Sequence, residues 1–189
     1  DRIRDESRLE IIAFNNSNPF NRKATVNKIQ SQEVLIRLGE VECEEIVCTA
    51  IVRKCRDREL LEYMGLSNPC KTVRRYIGGV VDDELLYKLA LKECEFDNRR
   101  EMISRIGDEK CIVDLLKRES VEKVFKGDFN ITDSNLLIDL ARNSQVGVGI
   151  SYALRNIDDI SVLRDFICSS PFTSREPEDD SLWKCIRYN

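Results

Sequence analysis

A short motif recurs about every 26 residues along the chain. In each copy an Asp or Ser follows an apolar residue or Cys by two positions and precedes Leu or Ile by four. These residues are Asp5, Ser31, Asp57, Asp82, Asp108, Asp133 and Asp159. Their spacings are 26, 26, 25, 26, 25 and 26 residues. A period of roughly 20–50 residues is typical of solenoids, in which each unit buries its apolar face only against its neighbours.

Each repeat has the sequence pattern of two short helices. In the third repeat, Asp57 is a candidate helix N-cap, and residues 60–64 place apolar side chains on one side of a helix. Asn68-Pro69 then interrupts that helix, and residues 73–80 show a second amphipathic pattern. We therefore predict, for each repeat, a helix A, a loop of several residues and a helix B of about ten residues.

The periodicity weakens at one place and ends at another. Gly127 and Asp128 occupy positions that are usually apolar in the other repeats, so we expect a local distortion in the fifth repeat. We predict a repeat array over residues 1–168, then a linker and a C-terminal capping helix or tail over residues 169–189. An alternative is that this tail, which carries Trp183, recognises a partner.

Two segments carry a resemblance to a known superfamily. Residues 82–90 read Asp-Asp-Glu-Leu-Leu-Tyr-Lys-Leu-Ala, and residues 73–80 read Val-Arg-Arg-Tyr-Ile-Gly-Gly-Val. Both resemble the helices of HEAT-like and armadillo-like α-solenoid repeats, although these repeats are shorter than the usual ones of about 40 residues. The resemblance implies an all-α, right-handed α-α superhelical solenoid of about seven two-helix repeats. It also implies that helix B lines a concave surface used to grip partners.

Charge is segregated between the two helices of the repeat. The ten residues before each Asp or Ser after the first hold 14 basic and 3 acidic residues over six repeats, a net of +11. The eleven residues that begin at each Asp or Ser hold 18 acidic and 10 basic residues, a net of −8. A chain of net charge −4 therefore contains two oppositely charged helix sets.

These charges predict a binding surface. If the B helices line the concave surface of the solenoid, their basic residues form a groove that attracts an acidic or phosphorylated protein partner. The candidate partner-binding residues are Lys23, Lys28, Arg53, Lys54, Arg74, Arg75, Arg100 and Arg105. Lys23, Arg74 and Arg100 share a register, eight residues before the next Asp or Ser of the motif. The alternative is structural: helix dipoles favour this charge distribution, or Arg74 and Arg100 pair with a neighbouring Asp of the motif.

A nucleic-acid-binding solenoid, with a groove like that of HEAT-like DNA glycosylases, is the alternative function. The acidic net charge and the 7% aromatic content argue against it. Enzymatic activity is not expected, because the absence of histidine excludes His-based triads and His-ligated metal sites. No catalytic residue, metal ligand or cofactor is predicted.

Eight cysteines are present without a CxxC motif. Cys55 and Cys111 occupy apolar positions of the repeat, so we interpret them as small buried hydrophobic residues in a reducing compartment. Cys48 and Cys55 are too far apart along a helix to share one zinc ion. The sequence also lacks a run of about 18 apolar residues, so we predict a cytoplasmic protein without a membrane contact.

Overall fold

The computed structural model describes residues 5–169, and this range contains α-helices, one 3₁₀ helix and no strand. The prediction of an all-α chain is confirmed for these residues. The helices are α1 (Glu6–Asn15), α2 (Pro19–Val26), α3 (Gln32–Val41), α4 (Glu45–Lys54), α5 (Arg58–Ser67), α6 (Lys71–Gly78), α7 (Asp83–Lys92), α8 (Phe96–Arg105), α9 (Glu109–Arg118), α10 (Ser134–Asn143), α11 (Gly147–Arg155) and α12 (Ile160–Ser169), with the 3₁₀ helix (Glu122–Lys126) between α9 and α10.

The recurring Asp or Ser precedes a helix in every repeat. Each of the seven side chains accepts a hydrogen bond from a backbone N–H two or three residues later. Asp57, for example, accepts from the amide of Leu60 at 2.7 Å. An N-cap of this kind is worth about 1 kcal/mol, because it satisfies an amide that the helix leaves without a partner. The most regular feature of the sequence is therefore a set of helix starts.

A second polar residue ends helix A, eleven residues after the N-cap residue. Its side-chain oxygen accepts from the backbone N–H two residues later, across the turn into the next element. These C-cap residues are Asn16, Glu42, Asn68, Glu93, Glu119 and Ser144. Up to Glu93 the connection from helix A to helix B is only three residues long. The C-cap side chain thus fixes a tight turn that the repeat pattern does not predict.

The chain forms two compact units. The first ends at Asn98 and the second begins at Arg99, so the boundary falls within α8. In the first unit the A helices α1, α3, α5 and α7 pack one against the next. The B helices α2, α4 and α6 form a second layer in the same order. Each A helix up to α5 also packs against the B helix of its own repeat.

Small residues allow the A helices of the first unit to approach closely. A Cβ at Gly39 would lie 2.8 Å from Leu60 Cδ2, and one at Gly65 would lie 2.7 Å from Leu89 Cδ2. The leucine of the next helix therefore fills the space that a side chain would need. Between the layers, Leu35, Ile51 and Ile77 are fully buried.

The second unit contains the predicted distortion. Where helix B of the fifth repeat is expected, the chain forms the short 3₁₀ helix and then continues without helix to Thr132. Phe125 and Phe129 are buried here and pack against Tyr152, with the Phe129 ring edge-to-face. The Tyr152 hydroxyl donates to the Phe129 carbonyl at 3.1 Å. An aromatic cluster thus supplies the apolar contacts that a regular helix B supplies elsewhere.

The cysteines of the described range carry free thiols. Cys55 is buried, as the repeat register predicts, whereas Cys111 is half-exposed. The predicted linker and capping tail lie outside the described residues, apart from Ser169. None of the helices described over residues 5–169 is long and apolar enough to cross a membrane.

Candidate functional site

The C-terminal end of α4 carries two of the predicted binding residues, and one of them contacts the end of α2 beside a third. Lys54 Nζ donates to the Asn27 carbonyl at 2.8 Å and also to the carbonyl of Ile29, the two residues that flank Lys28. Arg53 precedes Lys54 in the last turn of α4. No Asp or Glu occurs over residues 11–32 or 46–56, so both segments contribute only positive charge.

Arg53 is held in position by an aromatic neighbour. Its Nε donates to the Tyr76 hydroxyl at 2.8 Å, and its Cζ lies 5.0 Å from the centre of the Tyr76 ring on α6. Its two terminal nitrogens make no hydrogen bond within residues 5–169, and the side chain is exposed. A guanidinium that is fixed through one nitrogen and open at the other two is suited to bidentate contact with a carboxylate or phosphate.

Lys54 has a different role from Arg53. Burial lowers the pKa of its ammonium group, although the negative charge of Glu6 acts in the opposite direction. Its hydrogen bonds to main-chain carbonyls satisfy acceptors that the end of α2 leaves without a partner. Lys54 therefore ties α4 to α2, and it supplies positive charge beside Lys28 rather than a free binding group.

Arg74 is used inside the protein. Its Nε and Nη2 donate to the two carboxylate oxygens of Glu93 at 3.0 and 2.9 Å, and its Nη1 donates to the Asn68 carbonyl at 2.8 Å. The Glu93 side chain is only 2% exposed, against 17% for Arg74. The structure thus places Arg74 in a bidentate ion pair with the C-cap residue of the next helix A, and not with a motif Asp.

The same ion pair occurs in other repeats. Arg22 donates to both carboxylate oxygens of Glu42 at 2.8 and 3.0 Å and to the Asn16 carbonyl at 2.9 Å. In the second unit, Arg99 Nη2 donates to Glu119 Oε1 at 3.0 Å. In each pair the arginine stands six residues after the C-cap residue of its own repeat and bonds the C-cap residue of the next repeat.

These pairs correct the predicted register. Counting back from the next motif Asp grouped Lys23 with Arg74 and Arg100, whereas the contacts make Arg22, Arg74 and Arg99 equivalent. The repeats of 25 residues lack one residue between helix B and the next Asp, so a backward count shifts by one there. Counting forward from the repeat's own Asp or Ser places all three arginines at the same position.

Burial and hydrogen bonding act against each other on the paired carboxylates. Burial alone would raise the pKa of Glu93, but the hydrogen bonds from Arg74, the Glu95 amide and Asn98 together hold that pKa below its usual value. For Glu42, burial likewise opposes the hydrogen bonds from Arg22 and from the amides of residues 43 and 44, and the pKa is again lowered. Both carboxylates are therefore charged partners of their arginines at neutral pH.

The other predicted binding residues are placed as follows. Lys28 is exposed and Lys23 half-buried, and neither lies within 4.0 Å of a carboxylate among the described residues. Arg75 is exposed on α6. Arg100 and Arg105 belong to the second unit, where Arg100 is half-buried against the backbone of Gly127 and Arg105 pairs with Glu101 at 2.7 Å.

Over the described range, no group of three or more His, Cys, Asp or Glu side chains has a geometry that could hold a metal ion. Comparison of the chain with protein-family models, with curated proteins and with solved structures returns no match.

Proposed function

We propose that this chain is a non-enzymatic scaffold that binds an acidic or phosphorylated segment of a partner protein on the basic ends of α2 and α4. We also propose that its repeats form a right-handed, HEAT-like solenoid. The repeat sequence, the shared capping contacts and the layered packing of the first unit support this architecture.

The observation that carries the functional proposal is the geometry of Arg53. Its contact with Tyr76 restricts the side chain before any partner arrives, so less side-chain entropy is lost on binding. Lys54 is the next residue of α4, and Lys28 lies between the two residues whose carbonyls Lys54 binds. Both lysines add positive charge without a carboxylate neighbour inside 4.0 Å in the described chain. Such a cluster favours an oxyanion on the partner and speeds its approach.

A matched pair of charge reversals tests this surface. Arg53 and Lys92 are both exposed cations in the last turn of a helix, but Lys92 lies on the A helix α7. Arg53→Glu and Lys92→Glu should therefore disturb the helix dipole equally. We expect Arg53→Glu to weaken binding of a fluorescein-labelled phosphoserine- and Glu-rich peptide by about tenfold or more, and Lys92→Glu to leave it nearly unchanged.

Fluorescence anisotropy at several salt concentrations provides the measurement. Equal affinity of the two variants would contradict the proposal. A single-stranded DNA or RNA oligonucleotide serves as the competing probe. If it binds more tightly than the peptide, with a steep salt dependence that Arg53→Glu reduces, the nucleic-acid function replaces the one proposed.

A further inference from the structure

In the layer of A helices, α3 and α5 flank an open cavity of about 610 Å³. Ile36 and Leu60 lie along its apolar part with the ring of Tyr63, which is 53% exposed. Glu40 and Glu59 are exposed at its rim, and the N-cap Asp of α5 also lines it. A cavity of this volume falls in the range of ligand-binding clefts, roughly 300–1,000 Å³.

The neighbouring grooves of the first unit show why the cavity exists. An ion pair crosses the groove between α1 and α3, where Arg37 Nη2 lies 2.7 Å from Glu10 Oε1. Lys88 Nζ lies 3.7 Å from Glu62 Oε2 across the groove between α5 and α7. In both grooves the acid stands five residues after the N-cap residue of the first helix. The base stands six residues after the N-cap residue of the next A helix.

At the groove between α3 and α5, Ile36 and Tyr63 occupy these same two positions. An isoleucine and a tyrosine cannot form the ion pair, so the groove is left open and apolar at its base. Neither Glu40 nor Glu59 has a cation within 4.0 Å among the residues that the structure describes. The groove thus combines exposed apolar surface with two exposed carboxylates that have no cation inside 4.0 Å in the described part of the chain.

We propose that this groove, lined by Ile36, Leu60 and Tyr63 and flanked by Glu40 and Glu59, docks a segment of a partner protein. The segment presents an aromatic or aliphatic side chain next to Lys or Arg. The apolar side chain fills the cavity, and the cation supplies the charge that Arg37 and Lys88 supply in the neighbouring grooves. This site is separate from the basic surface on α2 and α4 and does not depend on it.

Two capped dipeptides, used with the full chain, probe the site directly. Acetyl-Phe-Lys-amide and acetyl-Phe-Glu-amide share the aromatic ring and differ in the sign of the neighbouring charge. We expect the lysine probe to bind with a dissociation constant of about 1 mM, and the glutamate probe at least about tenfold more weakly. Methyl and aromatic NMR shifts of Ile36, Leu60 and Tyr63 report the binding.

Two variants separate docking from general surface adhesion. Ile36→Glu with Tyr63→Arg installs the ion pair of the neighbouring groove, so it should close the cavity. The probe should then no longer shift the Leu60 methyl signals, which remain as the reporter in this variant. Glu40→Gln with Glu59→Gln keeps the cavity and the N-cap Asp of α5, so the aromatic ring should still bind while most of the preference for lysine over glutamate is lost. Because both of the latter residues are exposed, this variant stays folded.

Three results would overturn the proposal: no shift at about 10 mM of the lysine probe, equal affinity for the two probes, or unchanged binding to the variant with the installed ion pair. Loss of shifts in the first variant, together with loss of charge preference in the second, would support it. Amide spectra of both variants confirm that the fold is retained.

Discussion

Two contacts at equivalent positions of the first unit differ in charge. One is the ion pair of Arg74 with Glu93. The other lies one repeat earlier, where Cys48 replaces the arginine and Asn68 replaces the glutamate. Asn68 Nδ2 lies 3.7 Å from Cys48 Sγ, and the thiol donates to the Glu42 carbonyl at 3.3 Å. Both partners of the ion pair are thus exchanged together for neutral ones.

What stays constant between the two contacts is the capping hydrogen bond. Asn68 Oδ1 accepts from the Cys70 amide at 2.9 Å, and Glu93 Oε1 accepts from the Glu95 amide at the same distance. Both repeats keep the capping hydrogen bond because it fixes the three-residue turn. The ion pair, by contrast, is exchanged for a neutral contact in one of them. A buried ion pair is often no more stabilising than a neutral replacement of both partners, although removal of one partner is costly.

The largest effect is expected when one partner of the ion pair is removed. Glu93→Gln keeps an acceptor for the Glu95 amide but leaves the largely buried Arg74 without its counter-charge. We expect a loss of about 3 kcal/mol or more in the free energy of unfolding, measured by urea denaturation.

Glu84→Gln is the control for this change. Glu84 pairs with Arg58 at 3.0 Å, but its side chain is 73% exposed, so its loss should cost less than about 1 kcal/mol. If both variants lost equal stability, the ion pair of Arg74 and Glu93 would behave as a surface pair and the comparison would fail.

A smaller effect is expected when an ion pair is introduced at positions 48 and 68, where the contact of the parent protein is neutral. Cys48→Arg alone introduces a buried cation beside Asn68 and should destabilise the first unit. Adding Asn68→Glu supplies the carboxylate in the geometry of Glu93, so part of the stability should return. A double-mutant cycle should show a favourable coupling of about 0.5–3 kcal/mol. Strictly additive effects would mean that the two positions are not equivalent.

The sequence predicts the parts of this fold that depend on local chemistry. Asp57 and its equivalents were identified because N-capping acts within three residues. Gly127 and Asp128 indicated the distorted fifth repeat because they stand at positions that are usually apolar in the other repeats. The ion pairs were missed because they join adjacent repeats, and the missing residue in the 25-residue repeats hides their register from a backward count.

The candidate sites were less predictable than the helices. The sequence predicted that Arg53 and Arg74 lie on one basic surface. The contact that each makes depends on the next repeat, where Tyr76 contacts Arg53 and Glu93 pairs with Arg74. The apolar cavity at Ile36 and Tyr63 was likewise not predicted. Its detection requires knowing which two positions face each other across neighbouring A helices, and a single repeat does not contain that information.

The smallest difference concerns the dependence of stability on pH. The variant Arg74→Cys with Glu93→Asn reproduces the neutral contact and should lie within about 2 kcal/mol of the parent protein at pH 7. Because the pKa of Glu93 is lowered in the folded chain, its charge stabilises the fold above its unfolded pKa, near 4.5. That stabilisation is lost as the pH falls from there through the folded pKa.

The neutral variant lacks this carboxylate, so its stability should fall less steeply than that of the parent protein in the acidic range below pH 4.5. Urea denaturation at a series of pH values from neutral to acidic measures both slopes. Glu42 keeps its own lowered pKa in both proteins, so it contributes equally and cancels in the comparison. Parallel slopes would show that the Arg74–Glu93 pair adds no pH-dependent stability. The charged and neutral contacts would then be energetically interchangeable at acidic pH as well as at pH 7.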